Sequence, residues 1–258
     1  LGMPSYQAGR AQLRIRSLTF SPTRAGGTKI DGRMILNGPL ADGQISGLQI
    51  PLTGGLDRNG GLALFEQCID VQFASLTTST LSAGPTNVRL CPQAKAIVSS
   101  NDSGVRIAAN APSLDLTGAV GVTPLSISSG ALSFSLVNGL NAENLSVQLG
   151  TVDSMTKLDM AVFSAAFGDM FSGKIIGASG QVASVPLLME QIEGGWQYVD
   201  GALRVDAGLL VRDQEAVERF KPMVSNDVLL NFSNGAVKAK GLLREPKSQP
   251  TSARIDIL

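Results

Sequence analysis

Gly168-Asp169-Met170-Phe171-Ser172-Gly173-Lys174-Ile175 comes within one residue of a phosphate-binding P-loop. Such a loop needs Ser or Thr after its lysine to hold magnesium, and it must run from a strand into a helix whose N-terminal amides cradle the phosphates. Here Ile175 replaces the hydroxyl, and the loop follows a helix-patterned stretch and leads into alternating residues. Nucleotide binding is therefore not expected. Gly177-Ala178-Ser179-Gly180 lacks the spacing of a nucleophile elbow, and the chain has no His to activate the serine. Without histidine, Ser-His-Asp and Cys-His catalysis, imidazole metal ligation and histidine pH switching are all removed.

Carboxylates are the remaining catalytic material, because glycoside hydrolysis needs two of them flanking a sugar bond and no histidine. Asp57, Glu66, Asp70, Glu190 and Glu193 show no spacing that brings two together, and the single Trp196 is a poor sugar platform. They read as solvated carboxylates, and the chain is not expected to be an enzyme. Asp57-Arg58-Asn59-Gly60 starts like a calcium loop but lacks the later ligands and the closing Glu, so it reads as a hairpin turn. Cys68 and Cys91 fall on neighbouring strand-patterned runs. Two cysteines cannot complete a zinc site without histidine, which leaves two free thiols or a cross-strand disulfide. Low charge and a β pattern fit an envelope protein and favour the bond. No metal and no cofactor is expected.

These residues must be held by a scaffold with unusual composition. Charged residues are 16% of the 258, below the ~25% usual for soluble domains, and 29 glycines make the chain turn-rich. Aromatics are only 5% against 43% hydrophobic residues, so aliphatics must build the core. Lys plus Arg and Asp plus Glu are 21 each, and this zero net charge gives no electrostatic case for a nucleic-acid surface, a polybasic membrane patch or an acidic tail. No apolar run approaches the ~18 residues of a helical membrane span. With Leu at position 1 and no secretory signal, the chain reads as a processed form or a cut piece whose anchor was left behind.

Alternation of apolar and polar residues runs through Leu13 and Ile15, Ile30 with Met34 and Leu36, Leu48 to Leu52, Leu132 to Leu136, and Leu145 to Leu149. Asn-Gly or Asp-Gly pairs at 31–32, 37–38, 42–43, 59–60, 138–139, 200–201 and 234–235 are read as hairpin turns. The fold class is all-β, β-dominated with two short helices, in an elongated and twisted antiparallel sheet. One helix is expected from Thr156 to about Gly168. There Leu158, Val162, Ala165 and Ala166 form a helical stripe beside Met160, Phe163, Phe167 and Phe171. The other is expected over 213–221, with Asp213 as cap and Pro222 as stop. Tyr198 to Val205 and Phe232 to Ala239 form a weak repeat, 34 residues apart, in which each copy is a hairpin. Residues 1–258 read as one β-rich segment, with 99–112 as the candidate loop separating sub-lobes 1–112 and 113–258.

Residues Phe163 to Ile257 resemble the C-terminal region of YdbH-like proteins, which belong with the AsmA-like and TamB-like proteins of Gram-negative envelopes. The resemblance is carried by Phe167-Gly168, Phe171-Ser172-Gly173-Lys174-Ile175, Gly180-Gln181-Val182, Val185-Pro186-Leu187, Gly194-Gly195-Trp196 and Asp200-Gly201-Ala202-Leu203. Arg219-Phe220-Lys221-Pro222 and Gly241-Leu242-Leu243-Arg244-Glu245-Pro246 continue it. Leu81 to Pro92, with Gly84-Pro85-Thr86 and Leu90-Cys91-Pro92, is similar to the same family. The likeness covers about two thirds of the chain in patches of structural glycines, turns and aliphatics.

The resemblance implies a periplasmic segment of a protein anchored in the inner membrane by a helix outside this chain. Its sheet would curl into a taco-like groove that carries phospholipids between the two membranes. Expected partners are phospholipid acyl chains and an outer-membrane component, and no nucleic acid. The candidate groove residues are Leu132, Phe134, Leu136, Leu203, Val205, Leu230 and Phe232. A groove predicts a broad uncovered apolar face, a structural module predicts a closed dry core, and an enzyme predicts convergent carboxylates in a polar cleft.

Overall fold

The computed structural model describes residues 6–40, 42–102, 104–168, 170–183, 185–233, 236–246 and 252–257. None of them is helical, and the chain is all-β and antiparallel. It divides into two compact units, Leu1–Leu136 and Val137–Leu258.

Unit 1 contains β1 (Tyr6–Ala8), β2 (Ala11–Pro22), β3 (Thr28–Leu40), β4 (Gly43–Leu56), β5 (Leu62–Leu64), β6 (Ile69–Phe73) and β7 (Ser75–Thr77). It continues through β8 (Leu81–Ala83), β9 (Thr86–Pro92), β10 (Val98–Asn101), β11 (Gly104–Ala111), β12 (Leu114–Val120), β13 (Thr123–Ser129) and β14 (Leu132–Ser135). The long strands β2, β3 and β4 form a ladder. Beyond β4 the ladder continues in short pieces, with β5, β6 and β7 each taking part of its edge. These are answered in turn by β10, β9 and β8. Of residues 99–112, expected as a loop, 99–101 and 104–111 are instead strand, in the paired β10 and β11.

Paired residues in an antiparallel ladder share a face. On one face of unit 1, Phe65, Ile69, Ile97 and Ala109 are buried, with Ile50, Leu52, Leu64, Val71, Leu90 and Val98 packed around them. The Cys68–Cys91 disulfide is present, with an S–S distance of 2.02 Å, and lies beside the Ile69–Leu90 pair that joins β6 to β9. Asp57 closes the β4–β5 turn as read from the sequence: its Oδ1 accepts hydrogen bonds from the amides of Asn59 and Gly61, both at 2.8 Å.

Unit 2 is a plain meander of eight strands: β15 (Gly139–Thr151), β16 (Ser154–Ala166), β17 (Phe171–Gln181), β18 (Leu187–Val199), β19 (Ala202–Asp213), β20 (Met223–Ser233), β21 (Ala236–Arg244) and β22 (Ser252–Ile257). Each pairs with the next.

Both expected helices are corrected. Residues 154–166 are β16, and the helix-like spacing arises from a slip in the alternation. Asn144 in β15 (φ 50°) opposes Ala161 in β16, which opposes Gly177 in β17 (φ 60°), and β18 has Gln191 at φ 52°. One extra residue is aligned in strand after strand, so pairing continues while the apolar positions shift by one. In β16 they become Leu158 and Met160, then Phe163 and Ala165. Residues 214–222 form an irregular loop. Asp213 does accept hydrogen bonds from the amides of Glu215 (3.1 Å) and Arg219 (2.7 Å), but no helix follows. A segment this short needs a packed apolar face to be helical, and its aliphatic Val217 is 81% exposed.

Turn pairs 42–43, 59–60, 138–139 and 200–201 fall at turns. Pairs 31–32 and 37–38 do not, because both lie inside β3. There the glycines provide room: a Cβ on Gly38 would sit 2.6 Å from the Cα of Ala11, and one on Gly32 would sit 3.2 Å from a methyl of Leu18. The pair 234–235 lies outside the described residues. The two repeat copies fall on the β18–β19 and β20–β21 hairpins.

Candidate functional site

The register of unit 2 sorts its side chains into two chemically distinct faces. Leu203 opposes Phe232 and Val205 opposes Leu230, so four of the seven candidate groove residues are cross-strand partners. The same rows extend in both directions. Tyr198 opposes Leu203 and Phe171 opposes Tyr198, while Trp196 opposes Val205 and Ala165 opposes Gly173. Beyond the slipped row, the face continues through Met160 and Ala178, with Leu145 opposite Met160 and Val147 opposite Leu158. The other face carries Asn141, Ser164, Lys174, Arg204, Asn231 and Lys238.

The apolar face is incompletely covered. Its small residues Ala142, Ala165, Ala178 and Ala207 are buried, but Leu203, Val205 and Leu230 are half-buried. Phe171, Tyr198 and Phe232, which end the strands in one row, are 46%, 44% and 37% exposed. Among the described residues, unit 2 contains no helix and no second sheet to cover this face.

Trp196 fixes part of the face. Its indole N–H donates to the carbonyl oxygen of Ser164 at 3.0 Å, and its ring stacks on Phe163 with centroids 5.5 Å apart and planes 7° apart. Gly173, the residue between Trp196 and Ala165, leaves the space that the ring crosses: a Cβ there would be 2.7 Å from Nε1.

The remaining three candidates are in unit 1. Leu132 opposes Ala111 and Phe134 opposes Ala109, which places both on the face of the Phe65–Ile97 cluster. Leu136 follows β14, is 49% exposed, and donates its amide to the carbonyl oxygen of Ile107 at 3.1 Å. Sequence reasoning missed Phe163, Trp196, Met160 and Leu158. The signal was present as two runs of alternation, hidden by the one-residue slip between them.

Unit 1 also has a cavity of about 1450 Å³ on its polar face. Lys29, Asp31 and Arg33 of β3 line it with Gln49 and Thr53 of β4, as do Asp57, Glu66 and Asp70. Three carboxylates that showed no meaningful spacing are thus brought to one concavity. Asp57 is committed to its turn, where the amides of Gly61 and Asn59 hold its carboxyl below the usual range. That is the wrong direction for a general acid. Glu66 faces Lys95 at 4.0 Å, and Glu190 in unit 2 is ion-paired to Arg212. Of the P-loop lookalike, Phe171 to Ile175 lie inside β17, so its Gly-Lys-Ile end is strand and opens no helix.

No family model, no curated protein and no solved structure matches this chain.

Proposed function

We propose that this chain is a segment of a periplasmic envelope protein that carries phospholipids between the inner and outer membranes along an apolar sheet face. The observation that supports it is the face of unit 2, apolar across successive strands, half-buried, and without a covering layer among the described residues of its own unit. Large uncovered apolar surfaces on soluble domains mark ligand or partner sites. Each methylene of an acyl chain moved from water onto such a face contributes roughly 0.8 kcal/mol, with no polar recognition required. Binding is therefore permissive toward head groups, and the polar cavity of unit 1 is not the acyl site. The disulfide fits an oxidising compartment. In this reading a partner at the outer membrane receives the lipid, and neither catalysis nor nucleic-acid binding is part of it.

The test replaces Leu203 and Leu230 by Asp, singly and together, with Leu136→Asp as the unit 1 counterpart. Lipids bound to the purified protein are identified by mass spectrometry, and capture of a fluorescent phospholipid is followed alongside circular dichroism. Capture is expected to fall at least ten-fold in the double variant while the β spectrum is kept. Unfolding of the variants would point to a closed core and a structural module, and wild-type protein that neither carries nor captures lipid would overturn the proposal.

A further inference from the structure

The chain contains four Asn-Gly pairs, at 37–38, 59–60, 138–139 and 234–235. Such a pair carries its own chemistry. The amide nitrogen of the glycine can attack the side-chain carbonyl carbon of the asparagine, because glycine has no side chain to obstruct the approach and reaches backbone conformations closed to other residues. The ring closes only where the glycine amide and the asparagine side chain are free to meet. The fold therefore decides which pair reacts.

Three of the pairs are among the described residues. Asn37-Gly38 lies inside β3 between β2 and β4, with Asn37 opposite Gln12 and Gly38 opposite Ile45. Asn37 Oδ1 accepts a hydrogen bond from the amide of Gly47 at 2.6 Å, and Gly38 is buried, with the Cα of Ala11 2.6 Å from where a Cβ would sit. At Asn138-Gly139 the glycine is the first residue of β15, is buried, and has no room for a Cβ against the carbonyl oxygen of Ala165. Reaction at either pair requires strands to part.

Asn59-Gly60 differs on each of these counts. It lies in the turn between β4 and β5, both residues are exposed, and a Cβ on Gly60 would meet nothing within 4 Å. The Gly60 amide bonds locally, to the carbonyl oxygen of Asp57 at 3.1 Å, and the Asn59 amide donates to Asp57 Oδ1 at 2.8 Å. Among the described residues the Asn59 side chain has no hydrogen bond. Opening this turn breaks local bonds and parts no strand, and such openings cost far less than global unfolding.

We infer that Asn59 is a site of spontaneous covalent modification, losing its side-chain amide to water while the fold protects Asn37 and Asn138. The Gly60 nitrogen bonds to Asn59 Cγ, the Cγ–Nδ2 bond breaks, and the Gly60 amide proton is carried through water to Nδ2, which leaves as ammonia. Water then opens the resulting imide at either carbonyl carbon. Opening at Cγ leaves an aspartate, and opening at the main-chain carbon leaves an isoaspartate, whose backbone runs through Cγ and is one methylene longer. Both products add a carboxylate beside Asp57 on the wall of the unit 1 cavity, which both residues line. The isoaspartate also lengthens a turn that Asp57 closes through the amides of Asn59, Gly60 and Gly61, and that turn leads into β5, which is paired with both β4 and β10.

The experiment ages the full chain at pH 8 and 37 °C, in buffer and in urea, and follows each asparagine by mass spectrometry of peptic peptides, with isoaspartate read by enzymatic carboxyl methylation. In urea the three pairs should react at similar rates, because each asparagine is followed by glycine. In buffer Asn59 should react about ten-fold or more faster than Asn37 and Asn138, since only its route avoids strand separation. Asp57→Ala, which releases the Asn59 and Gly61 amides, should speed Asn59 several-fold and leave the other two unchanged. Asn37 or Asn138 reacting as fast as Asn59 in the folded protein would overturn the inference. Equal acceleration of all three in Asp57→Ala would mean that Asn59 reacts through global unfolding, and would overturn it as well.

Discussion

The two units solve the same problem, burial of one face of an antiparallel sheet, with opposite means. Unit 1 breaks its strands beyond β4 into pieces of three to eight residues and gathers Phe65, Ile69, Ile97 and Ala109 into one cluster, stapled by Cys68–Cys91. Unit 2 keeps most of its strands at 9–13 residues, spreads its apolar side chains along them and has no disulfide. Short strands have few ladder bonds each and gain from a covalent closure, whereas long paired strands hold their register by continuous pairing. What unit 2 gains in regularity it leaves as uncovered apolar surface.

The largest expected effect separates the units. Cys68→Ser with Cys91→Ser should destabilise unit 1 by about 3.5 kcal/mol, the chain-entropy value for a loop of this length. Trp196 is the only tryptophan and lies in unit 2, so its fluorescence reports that unit. The circular dichroism transition should move to lower denaturant while the fluorescence transition stays. Joint movement would show that the two units unfold as one and would remove the contrast.

Next is Gly173→Ala. The added methyl collides with the carbonyl oxygen of Ser164 and the indole of Trp196, an overpacking expected to cost about 2–3 kcal/mol. Gly121→Ala in unit 1 meets nothing within 4 Å and has only its φ of 60° against it, so about 1 kcal/mol is expected. Urea midpoints compare the two directly. Phe163→Ala removes the stack on Trp196 and should cost about 2 kcal/mol in the fluorescence-detected transition, less than a fully buried ring because the site is half-covered. A cost near zero would mean that the face gains nothing from packing against itself.

The smallest effect is local. The Arg219 side chain and the amides of Arg219 and Glu215 hold the Asp213 carboxyl far below its ordinary 3.8. Because the folded value lies below the unfolded one, the contribution is complete above about pH 3.8 and is lost only as pH falls through the folded value. By NMR, the Asp213 carboxyl should titrate below the ordinary aspartate value. Asp213→Asn should speed exchange of the Arg219 amide several-fold, with little change in global stability.

How much of this was legible follows from the range of the interactions. The all-β class, the hairpin at Asp200-Gly201, the turn at Asp57 and the Cys68–Cys91 pair could be read from sequence, because alternation, turn chemistry and cysteine count act locally or by elimination. The strand at 154–166 could not. Its apolar positions shift by one at Ala161, and the reason lies outside the segment, in the extra residues of β15 and β17 aligned on either side. Gly32 and Gly38 misread as turns for the same reason, since what they make room for is Leu18 and Ala11 on a neighbouring strand.

The candidate site divides along the same line. Alternation by itself marked Leu203, Val205, Leu230 and Phe232 as sharing a face within their own strands. Only strand pairing decided that they oppose one another, that Trp196 crosses Gly173 to reach Ser164, and that Leu132 and Phe134 belong to another unit. Net charge was fixed by composition, but the meeting of Arg16 with Arg33 across the β2–β3 ladder was not. Composition sums over the chain, whereas a ladder chooses which residues stand about 5 Å apart.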